Sequence, residues 1–516
     1  MNTPFDKLAD EILQTLANCF PVCLYSDEFH FFPQFIVKNH DWSKWDDFSF
    51  DTVKEIIKKL SLWESSLIFL HKKNIDDQIL LDISMFLRTI QTIKEQLDIV
   101  QTHKTQPSFY LSIAGIGLAE ALSFKKSAFD ARIKNLPRFF DTAISNLSCI
   151  PYLYNESGLD MTNKLESWLL SLNLPQSNLS KVFEALQRFK DHLDKVWLKD
   201  SFILDKDIVQ TVVSKHFGCN MDIKEIFNEL ELEIYEAKKT MIHYSKKINK
   251  KQSNKSWQET MLSFPLPYLP DNGLKCLYSF TIKKLAKHCV SKKIVNNKIV
   301  KSNLVSIEPI PEYLLGIRSA DAYTMPPVSL GLLPKGGTFY IDSKNNFASP
   351  PIDYDILASH ETYPGHHLLD TSRWLLKRKL RRHFEFPLFY EGWACFAETL
   401  MFDTGFFNGD KKRFLLAKRR FSRALRGKAD LGLHCREYTI EQAAKLLTKA
   451  CKPMDKTLSM VKRYALKPCY QICYTIGVRN FCKIYKKFLN SDNKNKADGF
   501  ARKVLSKGQI EIDKLI

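Results

Sequence analysis

The segment His360-Glu361-Thr362-Tyr363-Pro364-Gly365-His366-His367 gathers three imidazoles and a carboxylate in eight residues. Imidazole and carboxylate are zinc ligands, and a carboxylate beside the metal serves as general base in hydrolysis. In the usual helical zinc motif the second histidine follows the first by four residues, one turn along the same face, with the glutamate between them. Here it follows by six or seven. On a regular helix, at about 100° and about 1.5 Å per residue, His367 would return to the His360 face roughly two turns away, and His366 would point elsewhere. Pro364-Gly365 alters this, because proline removes a backbone donor and glycine tolerates unusual dihedrals. A bulge or kink there absorbs the extra residues and brings His366 to the place of an i+4 histidine. His366 is therefore the preferred second ligand. His367 competes with it, or stands behind it.

A third ligand should come from another helix. Glu391 in Phe389-Tyr390-Glu391-Gly392-Trp393-Ala394 opens an apolar run containing Trp393, Cys395, Phe396, Leu400 and Met401. A carboxylate buried in such a helix is costly unless paired or metal-bound. Glu398, two turns on, shares its face and can hydrogen-bond a ligand histidine. His103, His216 and His288 read as satisfied core residues.

These residues need a helical frame. The first 250 residues read as successive amphipathic helices, with a 3.6-residue rhythm over Asp51–Lys73, Ile79–Val100 and Ile223–Ile248, and with Pro107, Pro137, Pro151 and Pro175 punctuating them. Residues 246–310 turn Lys-, Asn- and Ser-rich. Two strand-like runs follow, 303–310 and 337–341, and Tyr340 on the second is a candidate substrate contact. Helical patterns resume over 354–379, 387–404, 410–427, 439–450 and 455–489. The expectation is a mainly α chain with a small β-sheet beside a central metal-site cleft. It divides into an N-terminal helical region, 1–250, and a catalytic region, 251–516, packed as one unit.

Composition limits the alternatives. Charged residues make up 26% and hydrophobic residues 45%, an ordinary globular balance. Lys and Arg number 76 against 57 Asp and Glu, a net charge of +19. The charge is spread over many helices, and its densest run, Lys246 to Lys251, lacks interleaved aromatics, so no specific nucleic-acid partner is expected. The twelve Cys lack paired C-x-x-C spacing and read as reduced thiols. Acidic Asp6, Asp10 and Glu11 argue against a secretory signal, and no stretch approaches the roughly 20 apolar residues of a membrane span. The expectation is a soluble cytoplasmic protein. Its oligomeric state is open.

Four blocks in order carry a family resemblance. His360 to His367 resembles the H-E-x-x-P-G-H-H signature of the bacterial family called domain of unknown function 885, placed among gluzincin metallopeptidases. Tyr390-Glu391-Gly392-Trp393-Ala394 with Glu398 is similar to its E-G-W-A-x-x-x-E. Asp430-Leu431-Gly432-Leu433-His434, followed by Tyr438 to Ala443, is similar to D-x-G-L-H and W-x-x-E-Q-A. Arg463-Tyr464…Pro468 to Tyr474 and Gly477 is similar to R-Y-x-x-x-P-G-Q-A-x-x-Y-x-x-G. The resemblance covers nearly the whole chain and is strongest over 320–480.

The resemblance implies a zincin-like helical shell holding one Zn2+ on His360, His366 and Glu391. Glu361 would then be the general base, and Tyr474 and His434 the candidate oxyanion donors. His367, Glu398, Asp430 and Tyr340 would support the ligands or meet substrate. The implied activity is a zinc metallohydrolase, foremost a peptidase acting on peptides. The alternatives are an amidohydrolase acting on another small amide and an idle relative that binds through its basic surface. Cys469-Tyr470-Gln471 stands where the family has Gly-Gln-Ala, Tyr438 where it has Trp, and Leu369-Asp370 where a glutamine is usual. These departures fall on the pocket lining, and none falls on a proposed ligand or the base.

Overall fold

A computed structural model describes residues 3–35, 37, 40–73, 76–250, 255–315, 321–325, 336–342, 345–492 and 496–516. Lys251, at the end of the densest basic run, lies outside the described residues. The chain is mainly helical and forms two compact units. One comprises Met1–Leu204 with Ile310–Ala320 and Pro327–Pro334. The other comprises Asp205–Pro309, Asp321–Pro326 and Lys335–Ile516.

The first unit is built of the amphipathic helices that the periodicity predicts. The helix Phe50–Lys73 buries Val53, Ile56, Leu60, Trp63 and Leu67, one apolar stripe. Pro137 does not end an element as expected; it sits inside the helix Lys126–Asn146. Strand β1 (Cys149–Pro151) pairs in parallel with β2 (Trp197–Lys199). The helix Pro107–Phe124 is long and apolar enough, by length and composition, to cross a membrane, which the sequence reading did not expect. It is 72% buried, packed against the helices Lys126–Asn146 and Tyr152–Ser171. An apolar surface on all sides is also what a central core helix requires.

The second unit starts well before residue 251. Its long helix Ile223–Ile248, expected with the N-terminal half, lies along Gly409–His434. Arg479 and Arg420 both meet the carboxylate of Glu233 on that helix, at 2.9 and 2.7 Å, so charge as well as apolar packing fixes it there. The helix Pro387–Asp403 packs on Ile472–Ser491. A three-stranded sheet runs β3-β5-β4: β3 (Val305–Pro309) is parallel to β5 (Gly337–Ile341), and β4 (Ala322–Thr324) is antiparallel to it. The sequence pattern finds β3 and β5 but not β4, whose three residues are too short for an alternation to register.

The expected helix 354–379 is broken. Tyr354–Glu361 ends at Thr362, and a second helix, His366–Arg373, begins after a cis Tyr363–Pro364 bond. The expected helix 455–489 is also two, Met454–Leu466 and Ile472–Ser491, separated around Pro468.

Candidate metal centre

The break at Pro364-Gly365 builds the site. The chain doubles back so closely that a Cβ on Gly365 would stand 1.7 Å from the His360 carbonyl oxygen, so only glycine fits. Gly365 N–H donates to Ser359 O at 3.0 Å, and Trp393 Nε1 donates to Pro364 O at 2.9 Å, tying the turn to the Glu391 helix. His366, first residue of the new helix, thereby comes beside His360, with ring centroids 4.9 Å apart.

Glu391 faces both rings. Its Oε2 lies 3.7 Å from His360 Nε2 and 3.5 Å from His366 Nε2. One potential ligand atom from each of the three residues falls within 4.8 Å of the others, and all three residues are buried. Glu391 Oε2 has no hydrogen-bond partner among the described residues. An orphaned buried carboxylate oxygen is costly, and a cation between it and the two imidazoles removes the cost. Two imidazoles and one carboxylate are a donor set that suits zinc, so the residues fit the metal. Burial opposes ionisation of Glu391, yet the two histidines hold it well below the usual carboxylate range.

The groups behind the ligands are fixed in turn. His360 Nδ1 lies 3.3 Å from Glu398 Oε1. Glu398 accepts from Arg423 through both oxygens, at 2.9 and 2.7 Å, and from Arg419 Nε at 3.1 Å. Burial works against its charge, but Arg419, Arg423 and His360 together hold it well below the usual range. Tyr390 stacks on His366 at 4.0 Å and donates to Asp370 Oδ2 at 3.0 Å. Tyr470 donates to Glu391 Oε1 at 2.8 Å.

Glu361 sits at the edge of the triad. Its Oε2 accepts from the Tyr323 backbone N–H of β4 at 2.9 Å, while Oε1 lies 3.9 Å from His360 Nε2. His367 faces away from this group. Its Nδ1 meets Tyr323 OH, and its Nε2 meets Tyr363 OH and Asn303 O, each at 3.1 Å; burial pushes the ring down to about 4. With both nitrogens engaged, His367 braces the broken helix against the sheet side, and His366 is the histidine that joins His360 and Glu391.

The C-terminal candidates divide. Tyr474 lies beside Glu391, which together with burial pushes its hydroxyl well above the usual phenol range, and Arg426 stacks on its ring at 4.6 Å. His434 is buried one turn from Asp430, with Nε2 3.7 Å from Asp430 Oδ1, and burial pushes its ring down to about 4 against a hydrogen bond with the Tyr464 main chain. Asp430 accepts from the N–H groups of Cys469 and Gln471 at 3.1 and 2.9 Å, and burial lifts it to about 8. It therefore holds the turn that carries Tyr470. Cys469 in that turn is left-handed, at φ 63°. Tyr340 lies on the partly exposed face of β5, opposite buried Phe339 and Ile341.

A model of the family described as "Bacterial protein of unknown function (DUF885)" matches residues 170–515. The chain belongs to that family. Two solved structures share the fold of this DUF885 protein. A candidate lipoprotein of unknown function from Shewanella oneidensis aligns with TM-score 0.74 and 14% identity over 99% of each chain. A candidate lipoprotein from Colwellia psychrerythraea aligns with TM-score 0.76 and 15% identity over 99% of this chain and 98% of that one. No curated protein matches the sequence.

Sequence reasoning missed Arg419, Arg423, Tyr390, Tyr470 and Tyr323. A signal existed for the arginines: they stand four apart on a helix whose neighbouring positions Phe421, Ala424 and Leu425 are apolar, so their face is buried and needs carboxylates. Tyr323 contributes a backbone N–H, which no residue type announces.

Proposed function

We propose that this DUF885 protein is a zinc-dependent hydrolase of the gluzincin type, cleaving amide bonds and foremost peptide bonds. The observation that carries the reading is the orphaned Glu391 Oε2 facing His360 Nε2 and His366 Nε2, with the Glu361 carboxylate beside them. A zinc ion held by these three residues would polarise the scissile carbonyl and acidify a water molecule.

The chain's own residues supply the rest. Glu361 accepts the proton of the attacking water at the oxygen facing the triad and passes it to the leaving amine, while the Tyr323 N–H keeps the carboxylate from rotating. Glu398, with Arg419 and Arg423 behind it, orients the His360 ring so that Nε2 faces inward. Tyr470 donates to Glu391, and Tyr474, whose hydroxyl also lies at Glu391, is the group we assign to the developing oxyanion.

We expect one zinc ion per chain, a peptide or small amide as substrate, and no nucleic-acid partner. The twelve free cysteines favour a reducing compartment such as the cytoplasm. The candidate-lipoprotein names of the two similar structures favour an exported location instead, and fractionation of the source cells separates the two. The test of function is hydrolysis of a mixed peptide library by the zinc-loaded wild type and by Glu361→Gln. Cleavage by the wild type alone supports the reading. Zinc without cleavage of any peptide removes the peptidase reading and leaves a non-peptide amide as substrate.

A further inference from the structure

Glu361 is the last residue of the helix Tyr354–Glu361, and Thr362 has already left helical geometry. The terminal torsion of a glutamate is broad, so the helix alone does not aim the carboxylate. The sheet does. The Tyr323 N–H of β4 donates to Oε2 at 2.9 Å, and Oε1 then stands 3.9 Å from His360 Nε2. This bond fixes Glu361 only as well as β4 is fixed. β4 has three residues and lies at an edge of its sheet, opposite Tyr340, Phe339 and Thr338 of β5. Residues along an antiparallel ladder alternate between those that bond across it and those that do not. Tyr323, with its N–H on Glu361, is of the second kind. So short a strand with so few ladder bonds opens easily.

Asp321, the residue before β4, ties the strand down at two points. Its Oδ1 accepts from the Asp342 N–H, just past the end of β5, at 2.6 Å. Its Oδ2 accepts from Tyr278 OH at 3.2 Å. Tyr278 is buried on the helix Gly273–Ser291 and packs edge-on against Phe339 of β5 and against Tyr354, with ring centroids 5.0 and 6.2 Å away. Tyr354 is the first residue of the helix that ends on Glu361. The contacts thus close a ring. It runs from Glu361 down its own helix to Tyr354, across Tyr278 to Asp321, and along β4 to the N–H that returns to Glu361. The Tyr323 side chain is anchored separately, its hydroxyl meeting His367 Nδ1 at 3.1 Å.

Electrostatics do not account for an acid at this position. Asp321 forms no ion pair among the described residues. Burial lifts its carboxyl to about 6 against the Asp342 N–H, and the Glu361 and Asp342 charges add to the lift. What Asp321 contributes is its two accepted hydrogen bonds. It makes no bond to His360, His366 or Glu391 among the described residues, so its loss should spare a metal there.

We propose that Asp321 is a positioning residue for Glu361, holding β4 so that the Tyr323 N–H keeps Oε2 and leaves Oε1 turned to the His360–His366–Glu391 group. The proposal rests on the hydrolase reading for the role of Glu361 and deepens it to what aims the base.

The experiment compares full-length, zinc-loaded wild type, Asp321→Ala and Asp321→Asn. Three quantities are read: zinc per chain, exchange of the Tyr323 amide hydrogen by mass spectrometry, and kcat and KM on the library peptide that the wild type cleaves fastest. Asp321→Ala should keep its zinc and exchange the Tyr323 amide at least about tenfold faster. Its kcat should fall at least about tenfold, since a base that is misplaced acts poorly, with KM little changed. Asp321→Asn loses the charge but keeps an acceptor for the Asp342 N–H and a polar partner for Tyr278, so exchange and kcat should stay near the wild-type values. If Asp321→Ala loses zinc or its thermal transition, Tyr278→Phe, which removes one hydroxyl, serves in its place with the same expected direction. Unchanged Tyr323 exchange, or faster exchange with kcat unchanged, overturns the proposal. So does Asp321→Asn as impaired as Asp321→Ala, because the charge and not the tie would then be at work. A rise in KM alone also overturns it and assigns β4 to substrate binding. Failure of the hydrolase reading is distinguishable: a wild type that cleaves no peptide removes that reading, and the Tyr323 exchange alone then decides whether Asp321 holds the strand at Glu361.

Discussion

Two of the proposed ligands, Glu391 and His360, depend on a side chain behind them, and the cost of removing that partner differs with its charge. Tyr470 gives Glu391 Oε1 a hydrogen bond at 2.8 Å and leaves Oε2 free for the proposed zinc. Tyr470→Phe removes only that bond. It should lower zinc affinity by about tenfold, read by competition with a chromophoric chelator, with the fold retained. Glu398 is different, because it neutralises two arginines in the interior. Glu398→Ala leaves Arg423 buried and unpaired, and should cost about 3–5 kcal/mol in denaturant unfolding, the penalty for an uncompensated buried charge. A loss under about 1 kcal/mol would mean that these charges are solvated. Asp430 acts on backbone: Asp430→Ala frees the Cys469 and Gln471 N–H groups in a dry site, which should destabilise by about 2–3 kcal/mol and weaken zinc binding through Tyr470.

Helix crossings and breaks set which of these side chains can meet. The Glu391 helix and the Tyr474 helix cross at Gly392 and Gly477, where a Cβ on Gly477 would lie 2.4 Å from Leu388 O and 2.5 Å from Gly392 Cα. Gly477→Ala must force the helices apart, carrying Tyr470 and Tyr474 away from Glu391. A destabilisation of about 1–3 kcal/mol with weakened zinc binding is expected.

This scale also shows how far the sequence could be read. Helix periods, the strands β3 and β5, and the effect of Pro364-Gly365 follow from local chemistry, and so do the three residues whose ligand atoms gather, His360, His366 and Glu391. The full break of the helix was not foreseen, because a kink and a reversal have the same Pro-Gly signature. The choice between His366 and His367 depended on where the new helix began. Tyr470 and the arginines of the Glu398 cluster act through contacts distant in sequence, and β4 acts through a backbone N–H. The placement of the helix Ile223–Ile248 was likewise decided by Glu233 meeting Arg420 and Arg479, partners nearly two hundred residues or more away.

At the scale of the whole chain, two compact units divide the polypeptide, and every proposed ligand belongs to the second. Metal that binds the folded unit and not the unfolded chain stabilises it by mass action, by about 4 kcal/mol at a thousandfold excess over the dissociation constant. Chelation should therefore lower the thermal transition of the second unit by several degrees, and added zinc should restore it. The most direct test of the account is elemental analysis of the purified wild type beside Glu391→Ala, each after zinc loading and desalting. The account predicts about one zinc ion per wild-type chain and its loss from Glu391→Ala, with Glu361→Gln keeping the metal. Wild-type protein that retains no zinc, or Glu391→Ala that retains it fully, would contradict the assignment of His360, His366 and Glu391.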